Sequence, residues 1–347
     1  MLNVLTLALG LLCLWRVKIW KPWGAQWNEG YLSVAETTSL RGVLAVVVIL
    51  GHLALQTVSG GVFFQMSRVG YMAVAVFFFL SGYGLQRQHM TRPDYAKGFL
   101  RKRLLSVALP YVIVSVLFWV YYACGGRVIS VQTLLTAAIR GNFIVTYSWY
   151  IVEILLFYVA FWLLMRICGK RQGLMVIGGL IWYGAFTAFC LVMGYSNWWY
   201  MSSLPLVVGM AWAVYEKQIL AVLRKYYLVL LAAVVCVLGG MLLLSGRFFN
   251  TAILKDVAKI VIAVLFTLAV VLVLLKVRIG NPVLHFLGEI SMELYLLQGL
   301  AMMLMRNQWL YIQHSLLYCV LVLLVDVALA ALLHMVMKLF RKKTPTR

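Results

Sequence analysis

Apolar runs of roughly 20 residues, the length of chain that crosses a hydrocarbon core about 30 Å thick as a helix, follow one another along the chain. They fall near residues 2–15, 40–58, 70–86, 104–122, 148–166, 173–193, 200–215, 227–245, 256–276, 288–305 and 316–338, with short polar breaks between them. A spanning barrel would instead show alternating segments of about ten residues. Backbone in lipid must satisfy its own hydrogen bonds, so continuous runs mean helices. The pattern predicts an all-α fold, a polytopic transmembrane helix bundle of about 11 spans. No break is long enough for a soluble domain. One long break, Gln86 to Arg103, contains Arg92-Pro93-Asp94 and ends in a basic cluster. Another, Ala123 to Tyr147, opens on Gly125-Gly126 and includes Val131 to Ile139, which predicts a short interfacial helix.

Composition agrees with this pattern. Of 347 residues, 65% are hydrophobic and 11% charged, against about 45–50% and 25% in soluble domains. The net charge of +21 would suggest a nucleic-acid partner in a soluble protein, but its placement argues otherwise. On alternating sides of the spans, twenty-two Lys and Arg fall on one side and seven on the other, with Arg41 at the start of the second span. Cationic loops stay cytoplasmic. The expected protein is therefore a multi-pass plasma-membrane protein, N-terminus outside and C-terminus cytoplasmic, with membrane lipid and no nucleic acid as partner. In the first run the charges follow the apolar stretch and no small-residue cleavage site appears, which predicts a reverse signal anchor. The six cysteines are scattered without a C-x-x-C pair, so neither a disulfide framework nor a metal site is expected.

Ionisable groups inside spans cost at least about 2.5–3.5 kcal/mol each and mark candidate function. Arg41, His52, Glu153, Asp326 and His334 are such groups. Arg41 and His52 are eleven residues apart on one span, which puts them on one helix face about 16 Å apart. A guanidinium near the cytoplasmic surface suits phosphates, and a deeper imidazole suits proton transfer. The bland alternatives are an interfacial anchor and an interhelical hydrogen bond. Glu153 lies about 8 Å below the outer surface, at a depth similar to that of His52. Asp326 is near mid-depth, where pairing with another helix, a proton relay and a purely structural role all stay open; His334 reads as interfacial. Ser81-Gly82-Tyr83-Gly84 reads first as close packing. Arg101-Lys102-Arg103 reads first as a topology signal and headgroup contact, or, beside Arg41, as a holder of nucleotide phosphates.

Taken together these pieces resemble the acyltransferase 3 membrane proteins, which acetylate bacterial surface glycans and related acceptors. The resemblance runs from about Leu40 to Gln298. It rests on Arg41-x10-His52, Phe77-Phe78-Phe79-Leu80-Ser81-Gly82-Tyr83, Phe99 to Leu105 leading to Pro110, Trp149-Tyr150 with Glu153, and Gly288-Glu289-Ile290-Ser291 with Tyr295-Leu296. Gln298 stands where the family often has His, and Ser106 where it often has a second Arg. The resemblance implies a ten-helix acyltransferase core with one added N-terminal span. Residues 1–38 would form the anchor span and cytoplasmic linker, and 39–347 the membrane acyltransferase domain.

It also implies an O-acyltransferase that uses acetyl-CoA as donor substrate and a glycan or lipid-linked saccharide as acceptor. His52 and Glu153 would be catalytic, with Glu153 orienting the imidazole or binding the acceptor. Arg41, Ser81, Arg101 and Arg103 would hold the donor, and Trp149, Tyr150 and Tyr295 would lie at the acceptor side. The rival readings are a transporter or flippase of a lipid-linked glycan, coupled through Glu153 and Asp326, and a non-catalytic scaffold.

Overall fold

The computed structural model describes residues 1–58, 60–248 and 251–342. Lys343 and Arg347, counted above on the basic side, lie outside the described residues, as do the side chains of Arg247, Arg341 and Lys342. The described chain is a helix bundle with twelve α-helices: α1 (Asn3–Leu14), α2 (Val34–Gln56), α3 (Gly61–Thr91), α4 (Phe99–Cys124), α5 (Val131–Ile139), α6 (Trp149–Cys168), α7 (Gln172–Val192), α8 (Leu204–Phe248), α9 (Ala252–Leu274), α10 (Pro282–Glu289), α11 (Ser291–Met305) and α12 (Ser315–Lys342). Eight of the described helices are long and apolar enough to cross a membrane, so the protein is a multi-pass membrane protein. At about 1.5 Å per residue, the 45 residues of α8 are twice what one crossing needs. The helix is broken at Tyr215 and Tyr226, the two edges of the polar stretch with Lys217, Arg224 and Lys225. The short helix expected between the fourth and fifth runs is α5, none of whose residues is buried.

The centre of the bundle is held by glycines. Helices in lipid gain little from hiding apolar surface, so close backbone approach and van der Waals contact replace the hydrophobic drive. Gly42 of α2 and Gly288 of α10 face each other: a Cβ on Gly42 would overlap the Leu284 carbonyl oxygen, and one on Gly288 the Thr38 carbonyl oxygen. Gly82 of α3 and Gly209 of α8 repeat the arrangement against the carbonyls of Leu206 and Phe79. Ser81-Gly82-Tyr83-Gly84 is therefore a helix-packing element at Gly82, as its plainer reading held.

Two features depart from the sequence pattern. The run at 288–305 is really a broken pair, α10 and α11, with the break at Ile290 (φ −97°, ψ 12°). His334 is not merely interfacial: its Nδ1 lies 2.8 Å from Glu293 Oε1, and both side chains are largely buried. That contact joins α12 to α11 across the bundle interior.

The segment between α1 and α2 is tied to the segment between α9 and α10. Two residues of each, β1 (Lys18–Ile19) and β2 (Val277–Arg278), pair antiparallel. Lys276 donates to the carbonyls of Gly24 and Gln26 at 2.7 Å each and sits 3.5 Å over the Trp27 ring. Asn281 caps α10 by accepting from Leu284 N and donates to the carbonyls of Leu12 and Trp15 at the end of α1. The other end of α1 bonds the start of α3, Asn3 Oδ1 accepting from Phe63 N. Helix α1 thus runs alongside the bundle from the α2–α3 turn to the start of α10.

Candidate functional site

Helix α2 is capped by Ser33, whose side chain accepts from Glu36 N, and its first turns are tightened by Thr37 and Thr38 bonding back to Ser33 and Val34 carbonyls. One turn later Arg41 donates from Nη2 to Thr38 Oγ1 at 2.9 Å. Its Nε is buried with no hydrogen-bond partner among the described residues. The Tyr150 phenol and the Glu289 carboxylate lie within its electrostatic reach. A guanidinium offers five donors in a planar fork; here one is engaged by a neighbouring turn and Nε is left over. Such a half-buried, underused fork is suited to an anion that enters from this end of α2.

At the other end of α2, His52 is held by two contacts. Its Nδ1 lies 2.8 Å from Gln298 Oε1, and its ring stacks on Tyr147 at 3.8 Å between centroids, 9° from parallel. Tyr147 itself has φ +66°, a left-handed backbone that non-glycine residues seldom adopt and that concentrates at functional sites. Its carbonyl oxygen accepts a short hydrogen bond from the Tyr295 hydroxyl, and its own hydroxyl accepts from Gln56 Nε2 at 3.2 Å. Beyond it Arg306 donates to the Gln56 carbonyl and lies 3.7 Å over the Tyr318 ring, which pins this end of α2 to α12.

Between the two ends of α2 runs a ladder of phenols and hydroxyls. Tyr150, from α6, packs its ring on Phe78 at 4.8 Å and on Tyr295 at 5.5 Å. Its hydroxyl lies within electrostatic reach of Ser81 and Arg41, Ser81 itself donating to the Phe77 carbonyl. Two turns further along α6, Tyr158 lies under the Arg103 guanidinium at 6.0 Å, and Arg103 donates to Tyr95 at 3.0 Å. So Arg41, Ser81, Tyr150, Tyr295 and His52, picked from four separate runs of sequence, do converge, with Arg103 at the Arg41 end. Arg101 and Lys102 are exposed on the surface instead. Trp149 stacks edge-on against Tyr150 and also packs against the small apolar cluster around Phe186 and Trp199.

Glu153 is fully buried, but it does not pair with His52. Neither of its carboxylate oxygens has a hydrogen-bond partner among the described residues, and Ser203, Tyr183, Cys190, Tyr150 and Tyr295 lie within its electrostatic reach. The side chain within hydrogen-bonding distance of the imidazole is Gln298. Asp326 is buried as well, and neither of its carboxylate oxygens has a hydrogen-bond partner among the described residues. Sequence reasoning missed Tyr147 and Arg306 as members of the site and met Gln298 only as a departure from a pattern. The left-handed turn at Tyr147 has no sequence signature, since tyrosine is not a residue that favours it.

The site is thus a half-buried arginine toward one end of α2 and a held imidazole toward the other, inside a membrane-spanning helix bundle. The model of the acyltransferase domain family matches residues 36–335, which includes all of these residues, and the chain belongs to the acyltransferase 3 family. No curated protein and no solved structure matches it.

Proposed function

We propose that this protein moves an acyl group, in the first place acetyl, from cytoplasmic acyl-CoA to a hydroxyl of a glycan or lipid-linked saccharide at the outer face of the plasma membrane. The carrying observation is the path along α2: Arg41 and His52 about 16 Å apart on one helix face, joined by Ser81, Tyr150 and Tyr295 from three other helices. The excess of Lys and Arg on their side of the spans supports a cytoplasmic position for Arg41 and Arg103. The donor's phosphates bind there, and its pantetheine arm follows the ladder inward, about halfway through a hydrocarbon core of ~30 Å.

At His52 the imidazole takes the proton of the acceptor hydroxyl as its oxygen attacks the thioester carbonyl. The C–S bond breaks, the new C–O ester bond forms, and the proton passes from the imidazole to the departing thiolate. General-base assistance of this kind contributes about 10²–10⁴-fold. Tyr150 and Tyr295 supply hydroxyls close to the path, and Trp149 and Glu153 face the acceptor side. The buried, unpartnered carboxylate of Glu153 supports a part for it in binding acceptor hydroxyls.

Calorimetry with acetyl-CoA on the detergent-purified protein tests the donor half of this reading. Saturable binding that weakens tenfold or more in Arg41→Ala is the expected result. A folded protein that binds neither acetyl-CoA nor longer acyl-CoAs would shift the reading to transport of a lipid-linked glycan, with Glu153 and Asp326 as its buried carboxylates.

A further inference from the structure

His52 has two ring nitrogens, and only the one without a proton can act as a base. Which nitrogen that is depends on the group facing the other. At 2.8 Å from Nδ1 stands the side-chain oxygen of Gln298, a residue with no solvent exposure. The orientation of this amide is not free. Its Nε2 donates to the Tyr295 carbonyl oxygen at 3.0 Å, one turn back on α11. Turning the amide over would set two carbonyl oxygens against each other and lose that bond. An amide oxygen only accepts, so the His52 nitrogen that meets it must carry the hydrogen. Nε2 makes no hydrogen bond among the described residues and keeps its lone pair.

We propose that Gln298 is a positioning residue that holds His52 in the Nδ1–H tautomer and thereby makes Nε2 the proton-accepting atom of the transfer. The inference rests on the reading of His52 as the base. It deepens that reading, because the partner at Nδ1 is a neutral amide. Among the described residues no carboxylate makes an ion pair with this ring.

Among the described residues no other group makes a hydrogen bond to this ring. Titratable and charged side chains on this part of the site are Tyr147 from the segment before α6, Tyr295 from α11, Tyr318 from α12 and Arg306 beyond α11. Tyr147 touches the ring face, Tyr295 bonds the Tyr147 backbone, and Arg306 bonds the Gln56 backbone while covering Tyr318. Helix α3 meets α2 here at Gly51, through Met66 and Gly70, and its Arg68 lies over Phe64 on the exposed side. The position of α11 is fixed in turn by the Glu293–His334 contact and by the close approach of Gly299 to Thr146. The imidazole plane is set by Tyr147 and its protonation pattern by Gln298.

Nitrogen NMR on the full chain in lipid bilayers, labelled with ¹⁵N-histidine, reads the tautomer directly and needs no acceptor. The chain has five histidines, and the His52 signals are those lost in His52→Ala. The expected neutral ring shows Nδ1 in the protonated range and Nε2 in the unprotonated range. In Gln298→Leu an Nε2–H population appears, while acetyl-CoA binding at Arg41 stays within about twofold because that group is about 16 Å away. An Nε2–H ring in the unaltered protein, or His52 signals unmoved by Gln298→Leu, would overturn the proposal.

Should Gln298→Leu not fold, Gln298→Glu preserves the shape and places a carboxylate against Nδ1. The charged ring then persists to a pH higher by about one unit or more, and an unchanged titration counts against the proposal. Loss of the acyltransferase reading would show separately, as absent acetyl-CoA binding in the unaltered protein whatever its tautomer.

Discussion

Helices α2 and α7 are of similar length, 23 and 21 residues, and equally apolar over their best membrane-length window. Yet 67% of that window is buried inside the bundle in α2 and 17% in α7. Apolarity therefore puts both in the bilayer and does not decide which one is central. Lipid tails are as apolar as leucine, so nothing drives a smooth apolar helix inward. Small residues alone do not decide it either, since a Cβ on Gly184 of α7 would meet nothing within 4 Å. What sets α2 apart is reciprocity. Its Gly42 faces Gly288 of α10 across touching backbones, and its polar side chains find partners on α11 and in the segment before α6. The central helix is the one whose gaps are filled from the other side.

Leucine at matched positions tests this contrast most severely. Gly42→Leu should prevent assembly, because the new side chain starts inside the Leu284 carbonyl and α10 must move away. Overpacking costs of about 1–3 kcal/mol are usual, and backbone overlap lies above that range. The expected readout is loss of the monodisperse peak in detergent chromatography. A smaller effect is expected of Glu293→Ala, which leaves His334 without its partner. Leaving one partner of a buried hydrogen bond unsatisfied costs about 1–3 kcal/mol, and the exposed edge of His334 puts this site at the lower end. A lowered thermal midpoint would show it, with acetyl-CoA binding retained in the folded fraction. At the far end of the scale, Gly184→Leu should shift stability by less than about 0.5 kcal/mol, as substitutions away from packed features do. Loss of the monodisperse peak in Gly184→Leu, as in Gly42→Leu, would show that α7 is packed as α2 is.

Much of this architecture is legible in the sequence because bilayer thickness fixes helix length. Lys217, Arg224 and Lys225 mark the break in α8, and the apolar face of Val131 to Ile139 marks α5. The convergence of Arg41, Ser81, Tyr150 and Tyr295 was accessible through helical spacing and the family pattern. The break at Ile290 was not, since Gly288 and Ser291 occur as readily inside membrane helices as at their ends. Nor was the pairing of Glu293 with His334, which depends on how far α12 slides along α11. Depth alone suggested that Glu153 could reach His52; the rotation of α6, which leaves Glu153 without a hydrogen bond to that ring, is not encoded in depth. Gln298 illustrates the same limit, because its role follows from the Tyr295 carbonyl that fixes its amide.

The most direct test of transfer follows label across the membrane. Sealed inverted vesicles carrying the protein, prepared with their native envelope glycans, would receive acetyl-CoA labelled in the acetyl group, and the label in luminal, base-labile ester would be counted. The account predicts luminal ester with the unaltered protein and a fall of at least about 100-fold in His52→Ala, at equal amounts of folded protein and equal acetyl-CoA binding. Ester formation at the full rate in His52→Ala would contradict it.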